Sequence, residues 1–444
     1  MNKPKKSWRI GITELIKRSL RWLTPGIGVK RWLLAILMGT TLIAVGLAVI
    51  ILDIYRNAPE TWWLPFLSAA SLRSLARPLR AIIFGGLGIS LLAIGLWGMN
   101  RALMAPYLRI GQPVIDTLTS YRRRERGPKT VVIGGGHGLA TLLRGLKNHT
   151  HNITAVVSVA DEGGSSGRLR QAMGILPPGD IRNCLAALSN DEALLTQLFQ
   201  YRFPSSSDGL DGHSFGNLFI STLAEITGSF EEAVAESGRV LAVHGQVLPA
   251  TLHDVRLIAD IKMPQSPKEI RVKGENHIPE TNGRVHRIWL EPSDASAYPG
   301  VIQAILSADI IVVGPGSLYT SILPNLLVQD IVAAIRTSKA LKIFICNVAT
   351  QPGETDGYTC GDHIQAIEEH VGTGLFDIGV CNNKYELVLP TGINWVHAEE
   401  DLDVDYAIYR SDLSDQNNPV WHDATKIAQV LIDLYEERTG PLVD

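Results

Sequence analysis

The chain contains no C-x-x-C pair; its four cysteines, Cys184, Cys346, Cys360 and Cys381, are scattered through 444 residues. That usage suits a reducing compartment and predicts neither a zinc site nor a disulfide framework. There is no G-x-x-x-x-G-K-[ST] loop, which disfavours simple ATP hydrolysis. H-E-x-x-H is missing too, and the twelve histidines show no metal-ligand spacing. A basic excess is absent: 41 Lys and Arg stand against 44 Asp and Glu, so nucleic acid is not an expected partner. No internal repeat or low-complexity tract occurs.

Charge is nearly absent from two long runs, residues 32–54 ("WLLAILMGTTLIAVGLAVIILDI") and 81–104 ("AIIFGGLGISLLAIGLWGMNRALM"). About 20 apolar residues cross a hydrocarbon core, and glycine is frequent in membrane helices. Both runs are apolar on every face, unlike helices that cover a soluble core on one side. They predict a two-helix transmembrane hairpin over 32–104. Lysines and arginines cluster before it in the basic segment 1–31 and after it in the charged linker 105–128. The loop between the runs carries only Arg56, Arg73, Arg77 and Arg80. The positive-inside rule then places both termini and the main domain in the cytoplasm, at the inner membrane. "YRRRERGPK" in the linker suits anionic lipid.

From Lys129 onward, β-branched runs alternate with helical patterns. "TVVIGGG", "ITAVVSVAD", "RVHRIWLEP", "ADIIVVGPGS", "KIFICNVATQ" and "LFDIGVCNN" read as strands that are apolar along their length. Such strands suit a parallel sheet covered on both faces. The expected fold for 129–444 is α/β, a doubly wound, mostly parallel, Rossmann-like sheet. Residues 181–250 read as mostly helical.

Ligands of such sheets bind at the carboxyl ends of the strands, and five loops there carry candidate groups. "GGGHG" supplies Gly134, Gly135, Gly136, His137 and Gly138, where backbone and a helix N-terminus can approach a phosphate. "VADEGGSSGRLR" offers Asp161, placed like a ribose-binding carboxylate, then Gly164, Ser165, Ser166 and Arg168 as a second anion cradle. "LPPGDIRN" adds Asp180, a natural helix cap, with Arg182 and Asn183 in the first turn. "DGHSFGN" brings His213, Ser214 and Asn217 to a helix start; no G-x-S-x-G elbow surrounds the serine, so these read as hydrogen-bonding groups or a simple cap. "GPGSLYTSILPNLL" gives Gly314, Gly316, Ser317 and Tyr319, and "NVATQPGET" adds Asn347, Thr350, Gln351 and Glu354 to the same rim. Asp161, Asp180 and Glu354 are candidate magnesium ligands, although their spacing alone does not define a metal site.

In their order and wording these loops resemble the gluconeogenesis factor family (YvcK-type), a branch of the CofD-like superfamily, from about Lys129 to near the C-terminus. The resemblance implies a nucleotide-binding domain with no established enzymatic activity. It implies association with UDP-sugars such as UDP-N-acetylglucosamine, and with cell shape and envelope synthesis during growth through gluconeogenesis. It makes Tyr319 the leading candidate for sugar-nucleotide contact. His137 stands where many members carry Thr, and the membrane hairpin departs from the soluble family form.

Three functions are therefore in play. The first is a membrane-tethered regulator that binds a nucleotide sugar and signals to envelope-synthesis proteins. The second is a CofD-type phospholactate transferase using a nucleotide-activated acid and Mg²⁺. The third is an NAD-dependent oxidoreductase, suggested only by the glycine loop and Asp161.

Overall fold

The chain divides between Arg122 and Arg123 into two compact units. The computed structural model describes residues 124–439 apart from 190–191, 205–209, 264–267, 282, 401 and 403–405, and before them only scattered positions between 38 and 93. The hairpin expected over 32–104 thus lies largely outside the described residues. The positions described within 38–51 and 78–93 are helical, and Met38, Leu47, Ile82 and Ile89 among them are exposed. Among the described residues no single helix is long and apolar enough to cross a membrane.

In the second unit, short runs of valine and isoleucine form β1 (Thr130–Gly134), β2 (Ile153–Val157), β3 (Gln246–Pro249), β7 (Ile310–Val313), β8 (Leu341–Ile345), β9 (Ile378–Asn382) and β10 (Ile408–Ser411). They make one sheet in the order β10-β9-β8-β7-β1-β2-β3. Every neighbouring pair in it is parallel. β1, β2 and β7 are buried at every position, as strands covered by helices on both faces must be. Each such buried Val or Ile contributes about 1.5–3 kcal/mol of apolar transfer.

β4 (Arg256–Lys262), β5 (Glu269–Lys273) and β6 (Arg284–Glu291) form a separate antiparallel sheet in the order β5-β4-β6. The apolar pattern of "RVHRIWLEP" predicts a place in the parallel sheet, but the segment is β6 of this one. Its exposed Arg284, His286 and Arg287 point away from a one-sided core, which a strand of a fully covered sheet could not tolerate.

The first half of this unit carries α1 (Gly136–Leu146), α2 (Gly164–Met173), α3 (Gly179–Leu188), α4 (Glu192–Gln200), α5 (Phe215–Thr227) and α6 (Phe230–Val240). The long helical stretch expected after Phe215 breaks at Gly228, whose φ of 73° closes α5, and Ser229 then caps α6 through Glu232 N–H. A left-handed residue at that position ends a helix where a continuing apolar pattern suggests none. Further on lie α7 (His277–Glu280), α8 (Pro299–Leu306), a π-helical turn at Leu318–Ile322, α9 (Leu323–Leu326), α10 (Gln329–Thr337), α11 (Cys360–Val371) and α12 (Ala424–Thr439). The Leu318–Leu326 and Gln329–Thr337 pair, bent by 72°, has the length and composition of a broken span. Its Leu318, Leu323, Ile331 and Ile335 are fully buried, so it serves as core.

The cysteines depart from expectation. Cys360 and Cys381 form a disulfide, and the sulfur atoms of Cys346, Cys360 and Cys381 all lie within 4.8 Å of one another. Sequence spacing hid this because the β8–α11–β9 crossover folds three distant positions together.

Candidate functional site

β1 lies between β2 and β7. The chain leaves β1 toward β2 on one side and returns to its other side at β7, so the strand order reverses there. Loops at such a point diverge and leave a crevice at the carboxyl edge of the sheet. A cavity of about 590 Å³ occupies it, lined by Gly135–Gly138 after β1, Asp161 beyond β2, Pro315–Ser317 after β7 and Asn347–Pro352 after β8.

The two glycine loops are built against each other. A side chain on Gly138 would place its Cβ 2.6 Å from the Pro315 carbonyl oxygen, and one on Gly135 would come within 2.6 Å of Asp180 Oδ2. Only bare backbone lets these segments meet. α1 has no capping side chain of its own; the carboxylate of Asp180, on α3, instead accepts from Gly136 N–H at 2.7 Å. Across the cavity, Asn347 clamps the second loop by accepting from Gly316 N–H at 3.3 Å and donating to its carbonyl at 2.9 Å. Gln351 Nε2 donates to Ser317 Oγ at 2.8 Å.

Four carboxyl groups line the cavity, Asp161, Asp180, Glu275 and Glu354, and no lysine or arginine does among the described residues. Burial, then the charge of Asp161, pushes Asp180 up to about 6. Burial raises Glu354 to about 7 against a hydrogen bond from Thr320. Glu275 is held well above the ordinary range by burial and by Asp161, Asp180 and Glu354, and Asp161 is raised by burial. The two histidines of the wall add no compensating charge. Burial, Arg144 and Arg182 lower His137, and burial lowers His422 to about 4 while its Nε2 holds the Cys346 carbonyl at 3.0 Å. Two buried polar atoms of wall residues, Gln351 Oε1 and Glu354 Oε2, have no hydrogen-bond partner. Such atoms cost about 1–3 kcal/mol each unless a ligand or water satisfies them.

Of the residues singled out from sequence, Gly135, Gly136, His137, Gly138, Asp161, Asp180, Gly316, Ser317, Asn347, Thr350, Gln351 and Glu354 line this cavity. Behind it Gly134 ends β1 and Gly314 follows β7, with the Gly134 carbonyl held by Asn325 Nδ2 at 3.0 Å. The "GGSSGR" and "DGHSFGN" loops meet each other instead. Ser165 Oγ lies 3.0 Å from His213 Nδ1, and Asn217 Nδ2 donates to Ser165 and Ser166 Oγ at 3.1 and 3.4 Å. Gly164 opens α2 with φ 47° beside this network. Arg168 is exposed and donates to the Asp211 carbonyl at 2.5 Å. Arg182 is buried and pairs with Asn183 Oδ1 at 3.0 Å.

Tyr319 is 2% exposed, and its hydroxyl lies 2.8 Å from that of Tyr358. Its ring packs edge-on to Tyr358 and His370, so the structure places it in the core behind the loop rather than on the cavity wall. Glu275, Trp421 and His422 reach the wall without having been singled out. They come from "KGENHIPE", the turn after β5, and from "NPVWHD" before α12, neither of which follows a strand of the parallel sheet directly.

A family model described as 2-phospho-L-lactate transferase CofD matches residues 130–439. A gluconeogenesis-factor relative from Nostoc sp. is 46% identical over 99% of this chain and 93% of its own length. The gluconeogenesis factor of Bacillus subtilis is 45% identical over 70% of this chain and 99% of its own. The solved structure of a UPF0052 family member from Bacillus halodurans superposes with a TM-score of 0.63 at 42% identity, covering 69% of this chain and 98% of that one. With its parallel sheet, its crevice between β1 and β7 and these relatives, the chain belongs to the gluconeogenesis factor family and carries a CofD-like domain.

Proposed function

We propose that this protein is a membrane-anchored regulator that binds a sugar nucleotide of the UDP-N-acetylglucosamine type in the β1/β7 crevice, and acts in carbon metabolism and envelope morphogenesis. The observation that carries the reading is the pair of glycine loops packed against one another in the wall of a cavity of about 590 Å³, a size suited to a small-molecule ligand. Gln351 and Glu354, whose Oε1 and Oε2 are buried without a partner, add polar side chains to that wall. The names of the Nostoc and Bacillus subtilis relatives support the metabolic setting. The apolar runs at 32–54 and 81–104 support the anchor, and the Nostoc relative extends across that region while the Bacillus subtilis one covers 70% of the chain.

A wall of four carboxyls without lysine or arginine repels bare phosphate. Asp161, Asp180, Glu275 and Glu354 are hard oxygen donors of the kind Mg²⁺ prefers; among the described residues no three of them bring their oxygens within 4.8 Å of one another, so one or two carboxylates would hold the ion and the phosphate oxygens it neutralises would complete its shell. The same carboxyl set favours the second reading, transfer of a phosphorylated acid from a nucleotide carrier, because such a reaction needs charge compensation at the phosphates. Nothing beyond one glycine loop and Asp161 favours NAD.

The test is thermal unfolding of the full chain with millimolar UDP-N-acetylglucosamine, GDP or NAD, each with Mg²⁺. A ligand that prefers the native state raises the melting temperature. A shift with the UDP-sugar alone supports the regulator, whereas shifts with GDP or NAD and none with the UDP-sugar would sink it. Release of nucleotide on incubation with a nucleotide-activated phospholactate and a riboflavin-like acceptor would establish the transferase instead.

A further inference from the structure

Beside the acidic crevice lies a second cavity of about 540 Å³ with a different chemistry: Tyr358, Trp395 and His397 line it with Leu389 and Ile393, and no carboxylate, lysine or arginine does among the described residues. The two cavities share wall residues. Thr350 and Ile393 belong to both. The partition between them is a short antiparallel ribbon. Thr350 N–H donates to the Asn394 carbonyl at 2.8 Å, Val396 N–H donates to the Val348 carbonyl at 3.0 Å, and Ala349 bridges Trp395. Asn394 N–H also donates to Thr350 Oγ1 at 3.0 Å. Val348–Thr350 face the acidic side and Asn394–Trp395 the aromatic side.

The aromatic rings are held in place from behind. Tyr385 lies 5.9 Å from the Trp395 ring and 4.4 Å from His397, and its hydroxyl donates to the Asn382 carbonyl at 2.5 Å. The Tyr358 hydroxyl is tied to Tyr319 at 2.8 Å. A ring platform fixed in this way loses little conformational freedom when it receives a flat ligand. Asn394, on the rim, carries one amide donor pair and one acceptor, which can match the edge of a heterocycle.

Resting on the nucleotide reading above, we infer that the aromatic annex binds the uncharged heterocyclic base of the nucleotide, stacked on Trp395, while its phosphates lie across the ribbon in the carboxyl-lined crevice. The division follows the two chemistries: a charged, metal-bridged end belongs among carboxyls and glycine amides, and a neutral planar end belongs among rings. Tyr385 and Tyr358 are positioning residues that hold the platform.

Calorimetric titration of the full chain in detergent micelles with UDP and with inorganic pyrophosphate, both with Mg²⁺, separates the two ends. Loss of one base-stacking ring costs roughly tenfold or more in affinity. Trp395→Ala is expected to weaken UDP at least about tenfold and leave pyrophosphate within about twofold, with Trp395→Phe recovering most of the UDP affinity. UDP affinity unchanged in Trp395→Ala overturns the annex and leaves the nucleotide reading standing. Equal loss of UDP and pyrophosphate also overturns it, because the effect is then not on the base. Failure of the unsubstituted chain to bind UDP overturns the nucleotide reading itself.

Discussion

Glu354 meets the crevice with one oxygen bonded to Thr320 and the other bonded to nothing. Its carboxyl titrates at about 7 instead of 4.5 because burial disfavours the charge. Between those values the folded chain holds the proton more tightly than the unfolded one. The stability this group contributes is therefore complete below about 4.5 and is lost as pH rises through about 7. Glu354→Gln keeps the shape and removes the charge. It is expected to stabilise the chain by about 1–3 kcal/mol at pH 8 and hardly at all at pH 4, measured by denaturant titration. An equal gain at both pH values would show that ionisation is not the cause. Tyr319 makes the complementary case. Its place against Tyr358 and His370 predicts that Tyr319→Ala lowers stability by about 3–5 kcal/mol, as large core truncations do. Tyr319→Phe should cost about 1 kcal/mol for the lost hydroxyl partner and leave pyrophosphate affinity unchanged; weakened pyrophosphate binding by a stably folded Phe variant would return the residue to the phosphate site.

Among the elements, the glycine loops were the most legible in the sequence. "VVIGGGHG" and "IIVVGPGS" end β-branched runs in residues that only a close backbone approach requires, and the structure packs them against each other in the crevice wall. Gly138→Ala tests that approach directly: its methyl would press on Pro315 and Gly316. A loss of about 1–3 kcal/mol with weakened ligand binding is expected, and a fully stable variant with unchanged affinity would show that the loops need not touch. What was not legible depended on pairing. Nothing local distinguishes β6 from a parallel strand until its exposed Arg284 and Arg287 are weighed against its partner β4. "GGSSGR" reads as a phosphate cradle; in the structure its Ser165 and Ser166 hydroxyl oxygens accept from Asn217 Nδ2, a partner no local pattern shows. Glu275 reaches the wall from the turn after β5, a strand of the other sheet, so no strand end of the parallel sheet marks it.

At the scale of the whole molecule, the chain carries two apolar runs and, after them, a domain with a carboxyl-lined crevice. The anchor reading predicts that the full chain sediments with membranes and resists alkaline extraction, with a C-terminal tag shielded from protease outside intact cells. A soluble full chain, or a tag cut from outside, would remove the anchor or reverse its orientation. The crevice is the central matter, because its acidic wall and its glycine loops make opposite demands on an anion unless a divalent cation joins them. The most direct measurement is calorimetric titration of the full chain with UDP-N-acetylglucosamine in Mg²⁺ and again in excess chelator, repeated with Asp180→Asn. Saturable binding that weakens at least about tenfold on chelation, and likewise in the variant, is the predicted result. Binding indifferent to both, or none at millimolar ligand, would contradict it.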